Sequence, residues 1–199
     1  MKTLSLILVL LALSIPIFPQ TGYQGYQFGM TIDAVRAKTP GLRTSNRFSL
    51  IWNTGSSIMN SLYRNEIASE IPYPFSSSSL QNPLVLLSEP INRYNFESLY
   101  LFHDNKLVGI ITVFRDRVFE MLTSRYGNGA LTTLRRSNIS HEVYLWVNAG
   151  RFITWERQAE GVGFLETITY LDENWMKNIC RRRIAEYRER QLYVRSRID

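Results

Sequence analysis

FESLYLFHDNKLVGIITVF, residues 96–114, holds two runs rich in aromatic and β-branched side chains, Phe96–Phe102 and Leu107–Phe114, joined by His103-Asp104-Asn105-Lys106. Two such runs around a short polar link predict a β-hairpin. Immediately after it the spacing changes. From Arg117 to Tyr126 the apolar residues Val118, Met121, Leu122 and Tyr126 recur at helical intervals, and Gly127 stands where a helix terminates with positive φ. The helix should therefore pack on the hairpin that precedes it.

Working toward the C-terminus, three further strands are expected at His141–Val147, Arg151–Arg157 and Gly163–Leu171, linked by Asn148-Ala149-Gly150 and Ala159-Glu160-Gly161. Val143, Leu145 and Val147 alternate with Tyr144 and Trp146, so both faces carry apolar weight and one at least must be covered. A last helix runs from about Asp172 to Val194, with Asp172 and Glu173 at its electropositive start and Met176, Cys180, Ile184, Tyr187 and Val194 on one stripe. Toward the N-terminus, Met30-Thr31-Ile32-Asp33-Ala34-Val35 is a helix start with Thr31 as N-cap, and Pro40-Gly41 stops that helix. A short strand is expected within Thr21–Phe28. Arg43–Pro90 is the least patterned part: Ile51-Trp52 and Leu84–Leu87 read as strands, Ser57–Ile67 as a helix, and Pro72–Pro83 as a loop containing the serine run Ser76–Ser79. The order helix, hairpin, helix, meander, helix implies the α+β class, an antiparallel sheet with helices packed on one face.

The first residues carry a different message. Lys2 precedes an apolar run from Leu4 to Leu13, and Pro16 and Pro19 break the chain before a polar stretch opens at Gln20. This is the layout of a secretory signal peptide over residues 1–20, too short in its apolar part for a spanning helix of about 20 residues. Residues 21–199 are then expected to form one soluble α+β domain, exported to the periplasm or secreted. The chain has a formal net charge of +6 and a single cysteine, Cys180, so no intramolecular disulfide can form. Cys180 is expected to be buried as a small hydrophobe, the alternative being a cross-link between two copies.

Candidate chemistry is sparse. His103 and His141 have no second histidine or cysteine at ligand spacing, so neither a metal nor any other cofactor is predicted. His103-Asp104 lacks a nucleophile elbow, and Gly161 and Gly163 lack the helix that a phosphate loop requires. Asn138-Ile139-Ser140 is a glycosylation acceptor only where the host glycosylates. Two surfaces remain. Tyr144, Trp146, Phe152 and Trp155 flank one turn and offer an aromatic face for a ligand, against the commoner role of core and cross-strand pairs. Arg181, Arg182, Arg183, Arg188 and Arg190 make the last helix basic and suited to an anionic surface, with Glu186 placed to pair Arg190. No nucleic-acid partner is predicted.

Phe28-Gly29-Met30-Thr31 with Val35, and Phe119, Leu122 and Tyr126-Gly127, resemble the pattern of a group of small exported bacterial envelope proteins: an aromatic-Gly-Met-Ser/Thr helix start, a later hairpin, and a helix ending in Tyr-Gly before Trp-bearing strands. In that group a proline often follows Tyr-Gly; here Asn128-Gly129 stands instead. The resemblance implies an envelope location and a non-catalytic role, with an envelope protein or an anionic surface as partner. The expected function is a non-enzymatic binding or interaction module, the alternative being an enzyme whose site is assembled from dispersed residues. If the leader is removed on export, protein recovered from its host begins between about Ile15 and Tyr23; N-terminal sequencing that finds Met1 intact contradicts this.

Overall fold

A computed structural model of the chain describes residues 22–23, 25–63, 75, 80, 82–89, 97–114, 118–136, 139–160 and 163–197. The expected signal peptide, the serine run Ser76–Ser79 and the acceptor Asn138 lie outside these residues. The strands are β1 (Gly22–Tyr23), β2 (Tyr26–Gln27), β3 (Arg43–Thr44), β4 (Val85–Ser88), β5 (Glu97–His103), β6 (Lys106–Phe114), β7 (Ala130–Arg136), β8 (Ile139–Asn148), β9 (Arg151–Glu160) and β10 (Gly163–Asp172). The helices are α1 (Ile32–Lys38), α2 (Ser49–Tyr63), α3 (Phe119–Tyr126) and α4 (Glu173–Arg195). β1 and β2 pair with each other; the other strands form one eight-stranded antiparallel sheet in the order β3-β4-β5-β6-β10-β9-β8-β7.

The hairpin forms as expected, one residue out of step. β5 and β6 meet at the pair His103↔Lys106, leaving Asp104 and Asn105 as a two-residue turn with φ of 52° and 59°. Both turn residues are left-handed, the conformation whose twist matches the paired strands and which Asp and Asn tolerate best. Beyond β6 the chain must reach the far edge of the sheet, where β7 lies, then fold back strand by strand until β10 pairs with β6. That crossing covers four inter-strand steps, about 19 Å at the usual spacing. α3 makes it.

The register gives both sheet faces an apolar surface. Tyr100, Ile110 and Tyr170 are directly opposed across β5, β6 and β10, as are Leu99, Ile111 and Thr169 one position along, facing the other way. On the first face α1 inserts the fully buried Val35 among Leu87, Tyr100, Phe102, Leu107 and Ile110, while α3 sets Leu122 against Trp146, Ile153, Trp155, Ile168 and Tyr170. On the second face α2 and α4 cover Leu86, Leu99, Leu101, Ile111, Leu145, Phe152 and Leu171 with Leu50, Ile51, Ile58, Met59, Met176, Cys180 and Ile184. Helices therefore lie on both faces, which corrects the expectation that they pack on one. The reason lies in β10, whose residues 165–171 are all buried whichever way they point.

Three local expectations also change. Ile51-Trp52 belongs to helix α2, which begins earlier than the expected Ser57. Its buried positions include Leu50, Ile51, Thr54, Ser57, Ile58 and Met59, and Thr54 and Ser57 take places that usually signal themselves with large hydrophobes. Strand β7 occupies a stretch to which the sequence pattern assigns nothing. In α4 the buried stripe is Met176, Ile179, Cys180, Arg183 and Ile184; Tyr187 is half-buried and Val194, expected on the stripe, is exposed. Thr31 caps its helix as expected, its Oγ1 accepting from Ala34 N at 3.2 Å. Asp172, expected inside the first turn of the last helix, is instead its N-cap, Oδ1 accepting from Trp175 N at 2.7 Å.

Cys180 is fully buried, and burial pushes its thiol up to about 12. At pH 8 only about one thiol in ten thousand would be ionised, and the thiolate is the reactive form. Native protein should therefore stay unmodified by iodoacetamide at pH 8 and react fully in urea, as mass spectrometry would show; rapid native labelling contradicts the packing of α4.

Candidate functional site

The connection from β6 into α3 creates an unusual junction. Val118, at the helix N-cap, has no side-chain cap of its own. The cap comes instead from β10: Glu166 Oε2 accepts the Val118 N–H at 2.9 Å and the Trp155 Nε1–H at 3.0 Å. Glu166 is 4 % exposed, and its other oxygen lies 3.9 Å from Arg157 Nε. A buried carboxylate is tolerable only when its charge is met, and here two N–H donors, a helix N-terminus and a guanidinium meet it. Glu166 is in effect a long-range cap that ties α3 to the sheet.

Beside this anchor is a cavity of about 190 Å³ lined by Phe119, Glu120, Trp155, Arg157 and Glu166. Phe119 is the centre of an aromatic group, with ring centroids 4.5 Å from Tyr144, 4.8 Å from Trp155 and 6.2 Å from Trp146. Of the aromatic face expected from sequence, Tyr144, Trp146 and Trp155 are thus brought together. Phe152 is not: it pairs with Val147 and is fully buried on the opposite face against α2 and α4. Strand alternation explains the split, because an odd separation in one strand puts Phe152 and Trp155 on opposite sides. Trp146 and Trp155 are also largely covered, at 4 % and 7 % exposure, so most of this aromatic surface is core.

Trp146 accounts for the glycine at 129. Its Nε1–H donates to Gly127 O at 2.8 Å, and a Cβ on Gly129 would stand 2.6 Å from the indole. The ring lies against glycine because nothing larger fits there.

The basic helix is divided by burial. Arg183 is 5 % exposed and donates to Glu186 Oε2 at 2.8 Å, so it belongs to the interior and not to the expected anionic-surface set. Glu186 is consequently bonded to Arg183, where the sequence suggested Arg190. Arg181, Arg182, Arg188 and Arg190 are exposed, Arg181 Nη1 donating to Asn178 Oδ1 at 3.3 Å. Beyond Ile184 no residue of α4 is buried. Leu192, Tyr193 and Val194 are 66 %, 56 % and 51 % exposed in company with Arg188, Arg190, Arg195 and Arg197, and the Arg197 guanidinium lies over the Tyr193 ring at 4.8 Å.

His103 is buried at the tip of the β5–β6 hairpin, its Nδ1 accepting from Trp175 Nε1 at 3.3 Å and lying 3.5 Å from Asp104 Oδ2. It thereby ties the hairpin to the first turn of α4. His141 lies in β8. Among the described residues no group of three or more His, Cys, Asp or Glu is placed to hold a metal ion, and no helix is long and apolar enough to cross a membrane.

Sequence reasoning missed Glu166 and Arg157. The signal was present as a charged residue in a strand whose neighbours Leu165, Ile168 and Tyr170 are apolar. No known family, curated protein or solved structure matches the chain.

Removing the cap leaves the buried Trp155 indole N–H and the half-buried Val118 N–H without this acceptor. Glu166→Ala should lower the unfolding free energy by about 2–4 kcal/mol in urea titrations. A loss below about 0.5 kcal/mol, the size of an ordinary surface substitution, contradicts the anchoring role.

Proposed function

We propose that this protein is an exported, non-enzymatic binding module of the bacterial envelope that docks on an anionic lipid surface through the far end of α4. One observation carries the reading: the helix continues for about three turns past its last buried residue, and those turns expose apolar and arginine side chains together. A helix end that only closed the core could stop near Ile184. Between residues 188 and 197 the charge is Arg188, Arg190, Arg195 and Arg197 against Glu189 alone, which is complementary to phosphate headgroups. Tyr193 has the amphipathic ring that sits well at a headgroup boundary, and Leu192 and Val194 supply apolar surface to bury there. Export, read from residues 1–20, and the resemblance to envelope proteins favour the same setting.

The binder reading also agrees with the state of Glu166. Its carboxylate is engaged by the Val118 and Trp155 N–H groups, whereas a general base needs a carboxylate able to reach a substrate proton.

Each arginine near an anionic membrane contributes about 1 kcal/mol, an attraction that weakens as salt shortens the Debye length. The protein should therefore cosediment with anionic phospholipid vesicles at low salt, less at about 0.5 M salt, and not with zwitterionic vesicles. Changing Arg188, Arg190, Arg195 and Arg197 together to Gln should weaken binding at least about tenfold with the fold intact. Failure of the parent protein to bind anionic vesicles, or binding unchanged in the quadruple variant, overturns the proposal.

A further inference from the structure

The geometry points to a second, independent site: the cavity between α3 and β9–β10 binds a compact methylated zwitterion of the betaine class. The cavity of about 190 Å³ is lined by Phe119, Glu120, Trp155, Arg157 and Glu166, so aromatic rings, carboxylates and one guanidinium face the same small space. That combination selects by charge. A simple cation meets Arg157, whose side chain is 34 % exposed; a simple anion meets Glu120 and Glu166. A molecule carrying both charges places its carboxylate toward the guanidinium and its ammonium toward the exposed Glu120, Glu166 being already engaged by Val118, Trp155 and Arg157. Glu166 is fixed in place by Val118 N and Trp155 Nε1, so its part of the wall is set before any ligand arrives.

The aromatic residues narrow the class further. Phe119 and Trp155, 4.8 Å apart between ring centroids, are the ring type that attracts quaternary ammonium groups through their faces. The volume is below the roughly 300 Å³ at which drug-sized ligands begin, and suits a molecule of about eight heavy atoms. Glycine betaine has that size. A ligand so small gives a dissociation constant on the order of 1 mM.

The test is titration of the full protein with glycine betaine, with choline as the cation-only probe and pivalate as the anion-only probe. Binding is followed by calorimetry and by the indole N–H resonances, of which Trp155 Nε1–H reports on the cavity through its bond to Glu166. Betaine should saturate near 1 mM and move the Trp155 signal, and each control should bind at least about tenfold more weakly. Glu120 is exposed, so Glu120→Gln should fold normally, weaken betaine by about tenfold and narrow its advantage over pivalate. The proposal is overturned if betaine shows no saturation by about 50 mM, if choline or pivalate binds as well as betaine, or if Glu120→Gln changes nothing. Vesicle binding through α4 is a separate measurement, and neither result decides the other.

Discussion

β10 is buried on both sides, and the rest of the structure answers that constraint. It pairs with β6 and β9, sends Leu165, Thr167, Thr169 and Leu171 to one face and Glu166, Ile168 and Tyr170 to the other, and all of them are buried. Neither face can be left to water, so the chain must deliver cover to each. α2 and α4 shield one side. The other is shielded by α1 and by α3, the helix that the crossing from the sheet centre to its far edge lays over Trp146, Trp155 and Tyr170.

Once α3 is required over that face, its N-terminus also needs a partner. Glu166 supplies it from the covered strand, at the expense of a charge in the interior that Arg157 and two N–H groups offset. The cavity is a by-product of the same arrangement, since a short helix held at one end by a carboxylate does not fill the corner where β9 and β10 continue past it. The cover on the second face has the opposite character. α4 is longer than the surface it shields, and what remains carries arginine, tyrosine, leucine and valine into solvent.

Much of this was legible in residue order. The hairpin, the three later strands, Thr31 as a cap, Asp172 at the start of the last helix, and Gly127 as a helix end with φ of 77° all follow from local patterns. What was illegible depends on contacts between distant segments. α2 hides because Thr54 and Ser57 occupy its buried stripe, Thr54 meeting Thr154 of β9 at 3.3 Å. Arg183 looks exposed in a run of three arginines until the packing of α4 turns it inward. Phe152 looks like a neighbour of Trp155 until the pleat separates them. Glu166 stands out locally only as a charge in an apolar strand, and what it does is hidden because its partners Val118 and Trp155 come from other elements.

The central claim is that α4 is two things in sequence, a core helix to Ile184 and a docking element beyond it. Hydrogen exchange resolved along α4, with and without anionic phospholipid vesicles, tests this most directly. The account predicts slow exchange in residues 173–184 under both conditions, and exchange in 185–197 that is fast in the protein alone and slowed by vesicles. Equal protection of both halves without vesicles, or a far end indifferent to them, would contradict it.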